Sequence, residues 1–243
     1  MFHSDESRLL APLPERSGVA RWLKKTIPNP KLSWRTQNSR RQFAAFVRRV
    51  TRNPDTRMLN IGSKSIDLGG RVFNLDLYAY PGVQVVADAK YLPFRDAVMD
   101  GVVITSVLEH VPDPQAVVGE IERVLSLSGE VYVEIPFIRP LHPDPEDYQR
   151  YSLTGLEMLF KAFTLVEKGM CVGPSSGLAV MLSQYVAILL CFNSHYLYKI
   201  WSRLFRIVFA PLTLLDMLFE KIRYSLALAS SYFLIGVKKR GER

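Results

Sequence analysis

Cysteine is scarce in this chain: Cys171 and Cys191 are the only two among 243 residues. That excludes a disulfide scaffold and a four-cysteine zinc site, and it suits a reducing compartment such as the cytosol. Apolar runs are also short for spanning a bilayer, and an interfacial helical cap suits them better than a transmembrane span. Gly177–Phe192 has 13 apolar residues in 16 but includes Ser183 and Gln184, whereas a spanning helix needs about 20 apolar residues. The first thirty residues hold no continuous apolar core, so no secretory signal is read there. Internal repeats and low-complexity tracts are absent. What remains, 48% hydrophobic and 22% charged, excludes a wholly disordered or collagen-like chain. It is enough for one large domain, or for one domain with an elaboration.

Charge is unevenly placed. Residues 1–50 hold 11 Lys/Arg and 3 Asp/Glu, while residues 51–243 balance 20 against 20. The whole excess of +8 sits in an N-terminal arm that attracts an acidic surface, such as anionic lipid, a phosphorylated substrate or nucleic acid. The plainer reading is a solvated helical flank.

Four zones follow. Residues 1–54 form the basic flank, with a helix from about Ser39 to Thr51 that puts Phe43, Phe46, Val47 and Val50 on one face. Residues 55–173 alternate strands with helical patterns. The strands are expected at Arg57–Ile61, Val72–Leu77, Val83–Ala87, Val102–Thr105 and Val131–Ile135, with an amphipathic helix from about Asp113 to Leu127. That alternation predicts an α/β fold with a parallel sheet covered on both faces. Residues 174–228 are apolar and amphipathic: Gly177–Phe192, then His195–Phe209 with Lys199, Arg203 and Arg206 on one face, then a third helical pattern from Pro211 to about Ala229. Residues 229–243 carry a strand, Ser231–Val237, and a basic tail.

The most informative block runs from Met58 to Phe137: MLNIGSKS, then NLDLYAYPGVQVVADAKYLPFRDAVMDGVVITSVLEHVPDP, then GEVYVEIPF. It resembles the class I S-adenosylmethionine-dependent methyltransferases, in particular the group with an AD-A-x-x-LPF … D-x-V … LEHV-x-D-P pattern. Such enzymes are often encoded among glycan and cell-surface genes. The resemblance covers residues 55–173 and, more weakly, the last strand. It implies a doubly wound, mostly parallel Rossmann-like sheet that ends in an antiparallel hairpin, with Phe163–Cys171 as the sixth strand and Ser231–Val237 as the seventh. Residues 174–228 are then a helical insertion before that last antiparallel strand.

The resemblance also implies a cofactor site. Gly62 follows the first strand, where a missing side chain lets backbone approach a ligand; it would face the carboxypropyl end of S-adenosylmethionine, with Ser63 beside it. Asn60 stands where the family often has an acid. Asp76, with Leu77, ends the second strand, where a carboxylate accepts ribose hydroxyls. Asp88 would accept from the adenine amine, with Ala89 or Leu92 against the ring. Ser106 and Val107 would line the pocket near the sulfonium. Taken singly, an aspartate after a strand is most often a turn or cap residue; the ordered set carries the inference.

Two departures stand out. The G-x-G-x-G loop is reduced to Gly62-Ser63-Lys64-Ser65-Ile66, and only residues 62–71 separate the first two strands, where a parallel crossover normally takes a dozen or more. The first crossover is therefore expected to be shortened, with Gly69 and Gly70 at the corner and Lys64 replacing lost donors toward the cofactor carboxylate. The spacing excludes a phosphate-binding P-loop, and no Tyr-x-x-x-Lys pair supports a short-chain dehydrogenase.

After the fifth strand comes HPDPEDYQRY, residues 142–151, comparable to a substrate-side segment of similar methyltransferases. Methyl transfer rests on positioning, and a base is required only for a poorly ionised acceptor. His142 and His110 are the candidate bases; Asp144, Asp147, Tyr148, Arg150 and Tyr151 are the candidate substrate ligands. No metal is expected. The predicted activity is methyl transfer to a small polar acceptor, such as a glycan or lipid-linked metabolite, by a cytoplasmic protein peripheral to the inner face of the membrane. The basic aromatic stretch His195–Phe209 has membrane-surface composition; packing on the sheet or a homodimer interface is the plainer alternative. The rivals are a non-catalytic binding module and, less well matched, a nucleic-acid methyltransferase, since the Asn/Asp-Pro-Pro-Tyr/Phe signature is absent.

Overall fold

The computed structural model describes residues 26, 28–64, 68–69, 72–143 and 146–239. The arm before residue 26, Ser65, Gly70, Asp144 and the last four residues lie outside that description. The chain forms two compact units, each assembled from separated segments. Among the described residues, one comprises residues 38–64, 68–69, 72–137, 148–169 and 232–239; the other comprises residue 26 and residues 28–37, 138–143, 146–147 and 170–231.

The first unit is built on a mixed sheet of seven strands: β1 (Met58–Ile61), β2 (Val72–Asp76), β3 (Val85–Val86), β4 (Met99–Thr105), β5 (Leu125–Pro136), β6 (Phe163–Val172) and β7 (Ser231–Lys238). Their order is β3-β2-β1-β4-β5-β7-β6. β1 runs parallel to both β2 and β4, β2 parallel to β3, and β4 parallel to β5. The central strands read as short, mostly apolar runs because both faces are covered. Leu59, Val102, Val131 and Val133 are fully buried. Strand order reverses between β1 and β4, so the crevice at their carboxyl ends is where such a sheet takes a ligand.

Helix α1 (Gln37–Val50) covers this sheet with the face read from the sequence. Phe43 and Phe46 sit 5.0 and 5.6 Å from the Tyr132 ring. Val50 lies so close to Gly101 that a Cβ there would meet its Cγ1 at 2.6 Å. Burying each Phe contributes about 1.5–3 kcal/mol. Helix α2 (Pro114–Val124) starts as Asp113 accepts from the Ala116 N–H at 3.2 Å, and it buries Val117, Val118, Ile121 and Val124. It stops three residues short of the expected Leu127. The chain turns extended at Leu125, which pairs with Met99 and lengthens β5. β3 is shorter than expected, and β4 starts three residues earlier. In the shortened crossover, the described residues 62–64 and 68–69 form no helix. A last helix of this unit, α3 (Leu153–Leu159), is capped by Ser152.

The second unit holds helices α4 (Pro174–Leu190) and α5 (His195–Phe209), which lie along each other, and a short α6 (Asp216–Phe219). The cap residue of α4 is Gly173, which has no side chain to offer; Asp216 supplies it instead, accepting from Ser175 N at 2.8 Å and Ser176 N at 3.0 Å. The third helical pattern is broken rather than continuous: 3₁₀ turns at Ala210–Leu215 and Arg223–Leu228 flank α6. The Ser225 hydroxyl donates to the carbonyls of Phe219 and Ile222, a local bond that competes with helix continuation. Among the described residues no helix is long and apolar enough to cross a membrane.

Candidate active site

The loop after β1 carries the strongest local signal. Gly62 has φ +70° and packs against Val107, so that a Cβ would lie 2.1 Å from Val107 Cγ2. Only glycine takes both the left-handed backbone and that approach without strain. The N–H groups of Gly62 and Ser63 both donate to the Leu75 carbonyl, at 2.8 and 3.2 Å. Lys64, with φ +46°, donates its N–H to Asp76 Oδ2 at 2.9 Å. The loop is thereby strapped to the end of β2.

Asp76 is only 6% exposed. Its second oxygen, Oδ1, accepts from the Tyr78 N–H at 3.1 Å. Each carboxylate oxygen has two lone-pair directions, so a pair of ribose hydroxyls can still be accepted. Ser63 is 1% exposed, and its hydroxyl has no hydrogen-bond partner among the described residues. A buried hydroxyl left that way is costly, and a polar ligand would satisfy it.

The other cofactor candidates take different places. Asn60 is buried, and its amide donates to Asn74 Oδ1 at 3.0 Å, across the β1–β2 register; it stiffens the strand ends beneath the loop. Lys64 has an exposed side chain, and Leu77 is exposed as well. Asp88 Oδ1 accepts from Lys90 N at 2.9 Å, its Oδ2 lies 3.5 Å from Lys90 Nζ, and Ala89 is buried beside it. Ser106, at φ +53°, donates its N–H to the Glu134 carbonyl at 2.9 Å.

Sequence reading passed over the clamp on the segment after Asp88. Arg123 on α2 donates to the Phe94 and Leu92 carbonyls, to Asp96 and to Glu120, while Glu120 accepts from Leu92 N. These bonds, Glu120 foremost and then Asp96, raise the Arg123 proton affinity further. The signal was legible as an i, i+3 Glu–Arg pair, but its loop partners were not. Also passed over were two acids. Glu109 is fully buried next to His110, whose Nε2 is 3.7 Å away. Glu134 is buried and accepts from the Tyr132 hydroxyl at 2.7 Å.

The segment 142–151 divides between the units. Within the second unit, His142 and Asp147 form a clasp: Asp147, its side chain fully buried, accepts from His142 N at 2.9 Å and lies 3.2 Å from Nδ1. Within the first unit, Tyr148 N donates to the Glu109 carbonyl at 2.8 Å. The Gln149 amide donates to the Val111 carbonyl, and the Tyr151 hydroxyl donates to Gln149 Oε1 at 3.0 Å. Burial raises the Tyr151 proton affinity. Arg150 donates to the Gln149 carbonyl with its Nε buried. Asp144 lies outside the described residues.

Residues 40–133 match the family described as methyltransferase domain. This stretch is a methyltransferase domain, and the chain that carries it is a methyltransferase whose cofactor is S-adenosylmethionine. Gly62, Ser63 and Asp76 would hold that cofactor, and the buried Ser63 hydroxyl fits a polar ligand at that point. No curated protein matches the chain in sequence. Solved structures share its fold at low identity. Phosphoethanolamine N-methyltransferase 2 of Haemonchus contortus, in complex with S-adenosyl-L-methionine, is 16% identical with TM-score 0.51, over 94% of this chain and 62% of that one. A Galdieria sulphuraria protein, provisionally assigned as a sarcosine dimethylglycine methyltransferase, is 14% identical with TM-score 0.53, over 86% and 92%. The [4+2]-cyclase SpnF is 14% identical with TM-score 0.50, over 86% of each chain.

Proposed function

We propose that the chain transfers the methyl group of S-adenosylmethionine to a small polar acceptor, on a glycan or a lipid-linked metabolite, at the inner membrane surface. Residues 55–173 together with the last strand act as the catalytic core, with residues 1–54 and 174–228 as elaborations. The observation that carries this reading is the strapped loop: Gly62 against Val107, with the buried Ser63 hydroxyl and the Asp76 carboxylate at the strand-order reversal.

The cofactor supplies an electrophilic methyl and a neutral leaving group, S-adenosylhomocysteine. The chain's own residues position and deprotonate. Asp76 orients the ribose, Asp88 and Ala89 hold the adenine, and Ser106 and Val107 shape the wall beside the methyl. His142 takes the acceptor's proton as Asp147 at Nδ1 fixes the ring and stabilises the imidazolium. His110 is the second candidate base. Tyr148, Arg150 and Tyr151 bind the polar acceptor. Two free cysteines fit a cytoplasmic setting.

The alternative of a non-catalytic binding module is favoured by one observation. The Gly62 and Ser63 amides, donors that a glycine-rich loop would offer a ligand, are engaged by Leu75. Titration calorimetry with S-adenosylmethionine and S-adenosylhomocysteine separates the two. Binding weakened by Asp76→Ala supports the enzyme, and no binding by a folded protein supports the module.

A further inference from the structure

Helices α4 and α5 expose large apolar side chains that a water-facing helix would bury, and α5 shelters its basic ones. On α4 the small residues Ala179, Ser183 and Ala187 are buried, while Leu178, Tyr185 and Ile188 are 52%, 62% and 60% exposed. On α5 Tyr196, Leu197, Ile207 and Val208 are exposed, while the basic stripe Lys199, Arg203 and Arg206 is half-buried together with Trp201, Leu204 and Phe205. Water alone would favour the reverse arrangement.

The basic stripe has a focus. The Arg206 Nε is buried without a hydrogen-bond acceptor among the described residues; the group's bond is from Nη2 to the Pro30 carbonyl, at 3.3 Å. Arg139 and Arg203 are near enough that their positive charges, after burial itself, lower its proton affinity. A guanidinium in a poorly solvated place beside two others is costly unless an anion completes it. The planar fork of arginine matches phosphate oxygens in pairs.

We propose that Arg206, with Arg203 and Arg139, binds the phosphate of an anionic lipid headgroup, whose apolar portion meets the outward side chains of α4 and α5. The occupant is a lipid rather than a soluble anion because Arg203 and Arg206 belong to the same helix, α5, as the exposed apolar Ile207 and Val208. No described helix can cross the bilayer, so the unit lies in the interface. This deepens the membrane-surface part of the proposed function and is independent of the cofactor.

Co-sedimentation of the full chain with vesicles tests it, using phosphatidylcholine alone and phosphatidylcholine mixed with phosphatidylglycerol. The expected result is strong binding to the mixed vesicles and weak binding to phosphatidylcholine alone. Arg206→Gln should lower that partitioning about fivefold, the weight of one basic residue at an anionic surface, without lowering the melting temperature. Ile188→Asn should weaken binding to both vesicle types. Unchanged partitioning of Arg206→Gln overturns the proposal. So does a drop in melting temperature with equal losses on both vesicles, which makes Arg206 structural. A third overturning result is stabilisation by inorganic pyrophosphate, abolished by Arg206→Gln, with no vesicle binding; the ligand is then a soluble phosphate. Calorimetry with S-adenosylmethionine on the same preparations keeps the two readings apart. Cofactor binding without vesicle binding sinks only the lipid site, and the converse sinks only the methyltransferase reading.

Discussion

Replacing Gly62 by alanine gives the sharpest test of the loop. The added Cβ would sit 2.1 Å from Val107 Cγ2, against a backbone at φ +70°. Two costs arise. An L-residue in the left-handed region costs about 1–2 kcal/mol, and overpacking a well-filled contact costs about 1–3 kcal/mol. Relief comes from moving the loop, but Leu75 holds residues 62 and 63 and Asp76 holds residue 64. The expected loss of stability is therefore about 2–5 kcal/mol, read by urea denaturation at constant m. Cofactor affinity should fall with it. Val107→Ala removes the obstructing methyls, so the double variant should recover the steric part and leave the backbone part. A double-mutant cycle isolates that coupling. A coupling near zero, or a Gly62→Ala protein with native stability and affinity, would refute the account of why glycine is required here.

The two aspartates should behave differently. Asp88→Ala is expected to weaken S-adenosylmethionine by about 1–3 kcal/mol with little change in melting temperature; unaltered affinity by calorimetry sinks the adenine assignment. Asp76→Ala should lower both affinity and stability, since it releases the Lys64 and Tyr78 amides; a loss of affinity alone would show that the strap is dispensable. His142→Ala should reduce turnover by about 10²–10⁴ and leave cofactor affinity intact, with Asp147→Asn giving a smaller loss in the same assay; full activity excludes His142 as the base. Asp216→Ala should cost about 1–2 kcal/mol as a lost helix cap, and thermal unfolding that matches the parent would show that water replaces it.

The sheet was legible because its strands are buried on both faces and read as short apolar runs between turn signals. The α1 face was legible for the same reason: Phe43, Phe46 and Val50 fall at helical spacing, and all three find the sheet. What the sequence hid is set by partners distant along the chain. Leu125–Leu127 look helical by spacing, yet Met99 draws Leu125 into β5. Residues 211–229 keep a helical pattern, but Asp216 is committed to the amides of α4, and Ser225 diverts two carbonyls. The orientation of α5 was inaccessible to any periodicity argument. A moment has a direction on the helix, not in the protein, and only the packing reveals that Arg206 turns inward while Val208 turns outward.

The departures from the glycine-rich pattern have one physical solution in common. A full glycine loop followed by a helix offers a ligand its free backbone amides and a helix N-terminus. Here the crossover from β1 to β2 is too short for that arrangement, and the amides of residues 62 and 63 close instead on the Leu75 carbonyl. Polar capacity has to come from side chains that the strap itself delivers. Ser63 turns its hydroxyl into the interior without a partner among the described residues, and Asp76 holds the loop through Oδ2 to Lys64 N and the turn after β2 through Oδ1 to Tyr78 N. Since each oxygen keeps a second lone-pair direction, holding the loop and accepting a diol are compatible demands on one carboxylate. Loss of two glycines therefore does not by itself imply loss of the cofactor. It shifts recognition from backbone to Ser63 and Asp76, and it makes the loop's shape depend on a residue that the cofactor also requires.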